Sequence, residues 1–251
     1  MSGHSKWSKI KRKKGANDSK RSKIFGRIIK EITVAVREGQ SADAEFNSRL
    51  RLAIGNAKGA NMPKETIDRA VKKAFDTKGD ALHQPTFEGY GPGGVAIFVE
   101  TMTDNNQRTV ANVRAIFNKR GGNLATTGSV GFMFERKGIF LIDPAGKDIE
   151  ELELEMIDAG VEEFDIDEET GEIELTVDFA DFGAIQKKLE ELGIEPKSAT
   201  LERIPTTTTK VDVSDAKRAL NLVEYLEEDD DVQSVYHNLE MTDEIEAALE
   251  E

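Results

Sequence analysis

The chain has 251 residues, enough for two or three small domains, and 38% of them are hydrophobic. No stretch approaches the roughly 20 apolar residues of a membrane span, and the opening segment has no apolar run typical of a secretory signal. The absence of cysteine excludes disulfides, cysteine metal sites and thiol chemistry, so we expect an interior location, in the cytoplasm or an organelle, with no membrane partner.

The charge is distributed very unevenly along the chain. The formal net charge is −14, yet residues 1–38 hold twelve lysines and arginines against three acidic residues. Residues 1–78 carry a net +12 and the remainder carries −26. A cationic end on an acidic body is the composition typical of a nucleic-acid-binding protein, and the whole-chain charge hides it.

The N-terminal region is predicted to be a basic arm followed by three helices. Residues 1–22 include few apolar side chains, and their basic side chains repel one another. We therefore expect a flexible arm that becomes ordered only when it binds phosphates. Gly39 ends the first helix, Ser41 is expected to cap the second, and Pro63 suits the first turn of the third. The apolar faces hold Ile24, Ile28, Ile32 and Val36, then Phe46, Leu50, Ile54 and Ala57, then Ile67, Ala70, Val71 and Ala74.

The middle of the chain changes to shorter, β-branched segments. Residues 79–94 are interpreted as a linker rich in glycine and proline. A strand is predicted over 95–101 and a helix over 107–119, which Gly121 and Gly122 stop. The next strand is predicted over 129–135.

The second half of the sequence predicts one α/β domain inserted into another. From Gly138 the order strand, helix, strand, strand, helix, strand is the ferredoxin-like βαββαβ pattern. A helix near 214–228 and a strand at 232–239 are expected to complete the sheet begun at 95–135. The predicted class is therefore α+β, a three-helix module plus two α/β domains with one inserted into the other. The predicted parts are an arm 1–22, a helical domain 23–78, a discontinuous domain 79–137 with 206–251, and an inserted domain 138–205.

No catalytic constellation is recognisable, so we expect no enzyme, no cofactor and no metal. His4, His83 and His237 lie far apart without metal-ligand spacing and are expected to be surface or capping side chains. The nucleophile elbow and the Walker loop are absent. The acidic clusters 148–155, 165–169 and 227–231 are interpreted as solvated faces, with a weak divalent-ion site at 229–231 as the alternative.

The segment Gly89-Tyr90-Gly91-Pro92-Gly93-Gly94 fits the glycine pattern of a dinucleotide site. Such a site must follow a strand and open a helix, whereas these glycines precede a strand and Pro92 removes an N–H donor. Two interpretations stay open. The segment is a sharp inter-domain turn, or Gly91, Pro92, Gly93 and Gly94 form a loop that approaches an RNA backbone.

The arm carries the strongest functional signal, because lysine and arginine bind phosphates and release counterions whatever the base sequence. Trp7 either stacks on a base or packs on the helices. Asp18 or Ser19 is expected to cap the first helix. The predicted nucleic-acid-binding residues are Lys6, Trp7, Lys9, Lys11, Arg12, Lys13, Lys14, Lys20, Arg21, Lys23 and Arg27.

Long segments of the chain resemble the YebC/PmpR family. They are Gly3-His4-Ser5-Lys6-Trp7, Asp18-Ser19-Lys20-Arg21, Ala57-Lys58-Gly59-Ala60-Asn61-Met62-Pro63-Lys64, Glu88-Gly89-Tyr90-Gly91-Pro92-Gly93-Gly94-Val95-Ala96 and Thr103-Asp104-Asn105-Asn106-Gln107-Arg108-Thr109. Lys11-Arg12-Lys13-Lys14 departs from a Lys-His-Arg-Lys type of run common in the family. The resemblance implies one helical and two α/β domains in a cytoplasmic monomer. It further implies promoter binding, the family's long-standing label, or the translational and ribosomal activities ascribed to its mitochondrial and bacterial members.

Three functional hypotheses follow from the arm and the resemblance. The first is a ribosome-associated translation factor that contacts ribosomal RNA and tRNA and helps translation of proline-rich stretches. The second is a DNA-binding transcriptional regulator, although the three-helix module offers few base-reading side chains and no evident dimerisation element. The third is a protein-interaction scaffold whose basic arm is incidental.

Overall fold

The computed structural model describes residues 18–77, 82–144 and 146–250, with side chains from Arg21 to Leu249 within those ranges. The described part is an α+β protein of eight α-helices and two four-stranded sheets, as the sequence predicts. The predicted arm lies mostly outside the described residues. None of the described helices is long and apolar enough to cross a membrane.

The N-terminal helices are α1 (Asp18–Gly39), α2 (Ser48–Gly59) and α3 (Lys64–Asp76). Helix α1 already includes residues 18–22, so the prediction of an arm is wrong for this stretch. The three helices share one core, which contains Ile32, Ala35, Val36, Leu50, Ala53, Ala57, Met62, Ile67, Ala70 and Ala74. The predicted face of α1 is buried towards its C-terminal end, whereas Ile24 is 46% exposed.

The start of α2 differs from the prediction. Asn47, not Ser41, is the N-cap, and its Oδ1 accepts the Leu50 N–H at 3.0 Å. Its Nδ2 also donates to the Ala35 carbonyl at 2.8 Å, which ties the loop to α1. Phe46 precedes the helix, so it lies off the apolar face and is 83% exposed.

The first sheet has the strand order β3-β1-β2-β8, with β1 at Thr86–Tyr90, β2 at Ala96–Thr101, β3 at Asn123–Leu124 and β8 at Val232–His237. Helices α4 (Asn106–Lys119), α7 (Val213–Glu227) and α8 (Asp243–Glu250) belong to this part of the chain. Val95, Ile97 and Val99 share a core with α4 and α7, while Ala96 and Phe98 face a smaller cluster on the other side.

Two expectations for this region are wrong. The predicted linker 79–94 contains strand β1, whose residues Phe87 and Glu88 pair with β2 in antiparallel register. In the predicted strand 129–135, residues 129–133 are a loop and a 3₁₀ turn, Gly131–Met133, and only Phe134 and Glu135 are strand, where they begin the second sheet. Strand β1 was not predicted because glycines interrupt and follow it. A strand was predicted over 129–135 because the apolar residues there are spaced as in a strand.

The second sheet is ferredoxin-like, in agreement with the predicted βαββαβ order. Its elements are β4 (Phe134–Ile142), α5 (Ile149–Asp158), β5 (Val161–Ile166), β6 (Ile173–Asp178), α6 (Phe182–Glu191) and β7 (Ser198–Pro205). The strand order is β5-β6-β4-β7, so β5 and β7 are the edges. The core lies between this sheet and helices α5 and α6.

The chain forms two compact units. The first unit contains the described residues up to Lys23 together with 82–135 and 204–250, and the second contains 24–77 and 136–203. Strand β8 lies antiparallel to β2, with Tyr236 opposite Phe98, so the chain returns to the first sheet after completing the second. The second unit therefore contains most of the three N-terminal helices and most of the ferredoxin-like sheet.

Candidate nucleic-acid interface

Most of the predicted arm residues lie outside the described residues. They are Lys6, Trp7, Lys9, Lys11, Arg12, Lys13 and Lys14. Their binding to nucleic acid, and the choice between stacking and packing for Trp7, therefore stay predictions. The arm nevertheless leads directly into α1, which begins at Asp18 and carries the remaining predicted residues.

The basic residues at the start of α1 occupy different environments. Lys20 lies in the first turn of the helix, Arg21 is exposed, and Arg27 is half-buried. Lys23 Nζ donates a hydrogen bond to the backbone carbonyl of Glu228 at 2.9 Å, within the first unit. This lysine is therefore already engaged in the folded chain, an interaction that its position in the sequence does not indicate.

The two arginines of α2 contact neighbouring parts of the fold. Arg49 pairs with Glu38 and, at 3.4 Å, with Glu31 of α1. Arg51 donates from Nε to the Ala44 carbonyl at 3.0 Å and from Nη2 to the Glu45 carbonyl at 2.8 Å. Arg49 therefore ties α2 to α1, and Arg51 ties α2 to the loop that precedes it.

The basic side chains of helix α3, unlike the arginines of α2, have no partner among the described residues. Lys64, Arg69, Lys72 and Lys73 are exposed, and their side chains make no hydrogen bond or ion pair with any described residue. Arg69, Lys72 and Lys73 are spaced three and four residues apart and so share one face of the helix. Helical spacing is the signal that could have selected them from the sequence, and they extend the candidate interface beyond the arm.

The glycine loop is a connection between two neighbouring strands. It follows β1, makes a 3₁₀ turn at Pro92–Gly94 and enters β2, so it opens no α-helix and lacks the helix a dinucleotide site requires. The Gly91 N–H donates to the Val95 carbonyl at 2.8 Å. The interpretation as an inter-domain turn is wrong, because β1 and β2 pair within one sheet.

The four residues of this loop differ in accessibility. Gly91 and Pro92 are buried, whereas Gly93 and Gly94 are exposed with φ of 70° and 77°. A Cβ on Gly93 would lie 2.6 Å from Val211 Cγ1, but a Cβ on Gly94 would meet nothing within 4 Å. Only Gly94 therefore combines a left-handed backbone with open space, the condition for close approach of another backbone.

The segment from Thr103 to Thr109 is a structural clasp. Asn105 caps α4 by accepting the Arg108 N–H at 3.1 Å. Arg108 donates from Nε at 3.2 Å and from Nη2 at 2.8 Å to one oxygen of Asp231, which also accepts from Thr109 Oγ1 at 2.9 Å. The hydrogen bond to Asp231, reinforced by Asp104, raises the pKa of the Arg108 guanidinium. The clasp fixes α4 to the start of β8.

The same contacts revise the interpretation of the acidic run 227–231. Asp231 is only 5% exposed, so the expectation of a solvated face is wrong for this residue. Asp229 accepts a hydrogen bond from Asn112 Nδ2 at 2.9 Å. Across the described ranges no group of three or more histidine, cysteine or carboxylate side chains is arranged to hold a metal ion.

The burial of Glu88 and His237 is not indicated by the sequence. Glu88 is 4% exposed, and its carboxylate accepts the N–H groups of Gly128, Val130 and Gly131 at 2.7, 2.6 and 2.8 Å. His237 is fully buried, and its Nδ1 accepts the Leu239 N–H at 3.3 Å, so the expectation of a surface position is wrong for it. Glu88 fixes the loop beyond β3.

The fold and the charge distribution define an α+β protein with a cationic helical N-terminal region and an acidic remainder. A family model described as the TACO1/YebC protein N-terminal domain matches residues 5–77, and one described as the TACO1/YebC second and third domain matches residues 82–239. The chain belongs to the TACO1/YebC family, which confirms the resemblance seen in its sequence motifs.

Curated relatives match over nearly the whole chain. A probable transcriptional regulatory protein of Amoebophilus asiaticus is 50% identical over 240 residues, covering 95% of this chain and 98% of the relative. Another from Syntrophotalea carbinolica is 48% identical, with 97% of each chain covered. The crystal structure of a conserved hypothetical protein from Aquifex aeolicus is 39% identical with a TM-score of 0.80, covering 91% of this chain and 93% of that one.

Proposed function

We propose that this protein is a nucleic-acid-binding regulator of gene expression that contacts phosphates through its N-terminal region. The observation that carries the proposal is the confinement of positive charge, a net +12 in residues 1–78 against −26 in the rest. Such a surface gains affinity by releasing counterions from a phosphate backbone. Most of the acidic remainder repels phosphate and so favours one orientation of the bound protein.

Transcriptional regulation is the form of this function that the relatives support. Both relatives described above carry the name probable transcriptional regulatory protein, at 48% to 50% identity over almost their full length. In this form the protein binds promoter DNA and changes the output of nearby genes. The names of relatives support this proposal, whereas the N-terminal geometry supports only contact with nucleic acid in general.

A ribosome-associated translation factor is the second candidate, and one observation favours it. The basic side chains of α2 are engaged internally, and the exposed ones of α3 are three lysines and one arginine. Lysine and arginine contact phosphates whatever the base sequence, and this helix offers no asparagine or glutamine for reading base edges. Ribosomal RNA is a target for which sequence-independent contacts suffice.

One experiment separates the two candidates. The tagged full chain is crosslinked in cells, the lysate is sedimented through sucrose gradients at low and high salt, and the crosslinked nucleic acid is sequenced. Recovery of promoter DNA with protein at the top of the gradient supports transcription. Co-sedimentation with ribosomal particles at low salt, together with crosslinked ribosomal RNA, supports translation. Recovery of neither nucleic acid would refute the proposed function and leave the scaffold hypothesis.

We further propose that binding, and not catalysis, is the whole activity of this protein. The buried polar groups Glu88 and Asp231 are used in structural hydrogen bonds, which supports this proposal. A monomeric state, a cytoplasmic location and independence from cofactors stay predictions from the sequence and the family resemblance.

A further inference from the structure

Helix α4 is cationic in a part of the chain that otherwise is not. All four lysines and arginines between residues 82 and 135 lie within 106–120, a segment that contains no aspartate or glutamate. They are Arg108, Arg114, Lys119 and Arg120. In residues 204–250 the acidic side chains greatly outnumber the basic ones. Within residues 82–135 the positive charge is therefore concentrated on this one helix and its C-terminal end.

Two groups of polar side chains can be distinguished on α4. The first group is engaged in the fold, since Arg108 binds Asp231, Asn112 binds Asp229, and the Arg120 guanidinium lies 3.3 Å from the ring centre of Tyr225. The second group consists of Gln107, Arg114, Asn118 and Lys119. These four are exposed, and their side chains form no hydrogen bond or ion pair within the described part of the chain.

The second group lies on one side of the helix. Gln107, Ala111, Arg114 and Asn118 follow a spacing of four, three and four residues, which places them in a single stripe. Ala115 and Lys119 adjoin this stripe and are also exposed. We call these six residues the α4 face. The side chains of its two alanines are short, so a large partner can approach the helix backbone closely.

The fold holds the α4 face in a fixed position. Val113 and Phe117, on the opposite side of the helix, are fully buried in the core of the first unit. Asn105 caps the helix and Arg108 ties its first turn to Asp231. A surface held on a rigid helix loses little entropy when it binds a partner.

Three acidic side chains that contact α4 do so through Arg108 and Asn112. Asp104 pairs with Arg108 at 2.9 Å, Asp231 is buried beneath the same arginine, and Asp229 accepts from Asn112. Arg114 and Lys119 form no ion pair with any of the described residues. The chemistry that complements this face is anionic and rich in hydrogen-bonding edges, which describes a nucleic acid.

We propose that the α4 face is a second nucleic-acid contact surface, separate from the N-terminal region. Arg114 and Lys119 contact phosphates, while Gln107 and Asn118 hydrogen-bond to base or ribose edges. The proposal rests on the proposed nucleic-acid-binding function and extends it to the first unit. Duplex DNA and folded RNA both offer this chemistry, and the experiment below distinguishes them.

The test measures binding of the full chain to a fluorescent DNA duplex and to a fluorescent RNA hairpin over a series of salt concentrations. The test variant is Arg114→Gln with Lys119→Gln. The control variant is Lys147→Gln with Lys187→Gln, which removes the same charge from exposed positions in the second unit. Thermal unfolding of each variant checks that the fold is retained.

At about 0.1 M salt one phosphate contact is worth up to about eightfold in affinity, so we expect the test variant to lose tenfold or more. Its salt dependence becomes shallower, while the control variant matches wild type. Loss on only one of the two probes supports the proposal and identifies the kind of nucleic acid.

Three outcomes count against the proposal. If wild type binds neither probe in a salt-dependent way, the proposed function fails and this inference fails with it. If wild type binds and the test variant binds equally well, only the α4 face is refuted. If the control variant loses as much affinity as the test variant, the effect comes from net charge and the α4 face has no specific role.

Discussion

Asn56 in α2 and Ala199 in β7 are joined by two reciprocal hydrogen bonds. The Asn56 Nδ2 donates to the Ala199 carbonyl at 2.9 Å, and the Ala199 N–H donates to Asn56 Oδ1 at 2.8 Å. Because β7 is an edge strand, the side-chain amide takes the place of a neighbouring strand. The helical module is thereby attached to the ferredoxin-like sheet within the second unit.

Gly59 tests this attachment. A Cβ there would lie 1.6 Å from the Lys197 carbonyl oxygen, so Gly59→Ala must push α2 away from the start of β7. We expect the free energy of unfolding, measured in urea, to fall by about 3 kcal/mol. Gly55→Ala in the same helix is the matched control, because a Cβ there meets nothing within 4 Å. Helix propensity should make it more stable by up to about 1 kcal/mol. Equal effects of the two changes would mean that the contact is unimportant.

Asp231 tests the clasp at the start of α4. Asp231→Ala leaves Arg108 and Thr109 without their shared acceptor. We expect a loss of about 1–3 kcal/mol in the free energy of unfolding, towards the lower end because the Arg108 side chain is 48% exposed. Glu224→Ala, at an exposed position on α7, should change stability by less than about 0.5 kcal/mol. A clasp variant as stable as this control would rule out the assigned structural function.

Glu88 tests how the loop beyond β3 is held. Glu88→Gln keeps the shape of the side chain but replaces one acceptor oxygen with an NH₂ group that faces backbone donors. We expect a loss of about 2 kcal/mol, together with faster amide hydrogen exchange at Gly128, Val130 and Gly131. Glu240→Gln is the control. Unchanged exchange at these three amides would show that the loop is fixed by other contacts.

Gly93 and Gly94 test the glycine loop. Both have positive φ, which costs an alanine roughly 1–2 kcal/mol, but only Gly93→Ala also collides with Val211. We therefore expect Gly93→Ala to be the less stable variant in urea unfolding. If the loop contacts a sugar-phosphate backbone, Gly94→Ala should also weaken nucleic-acid binding, because the added methyl group would obstruct that contact. Wild-type affinity in Gly94→Ala would limit the loop to a structural function.

Much of the fold could be predicted from periodicity. The βαββαβ order at 138–205 is visible because each element is long, alternates cleanly and ends at a turn such as Gly171. Strand β1 was missed because Gly89 interrupts it and glycines follow it. Phe46 was assigned to the α2 face because its spacing fits, although the Asn47 cap starts the helix after it.

The candidate site was less predictable than the fold. Charge counting located the cationic end but could not show that Arg49 and Arg51 are engaged internally, since their partners Glu38 and Ala44 are brought near by folding. The same limitation concealed the burial of Asp231 within an acidic run. Spacing could have identified the exposed basic face of α3, because it depends on one helix alone.

The central claim is that the N-terminal region binds nucleic acid through phosphates. Its most direct test is the salt dependence of affinity for the full chain, with Lys11, Arg12, Lys13 and Lys14 all changed to alanine. If all four contact phosphates, the slope of log affinity against log salt on duplex DNA falls by about 3–4. The control variant Lys147→Ala with Lys187→Ala retains the wild-type slope. An unchanged slope in the fourfold variant would contradict the claim.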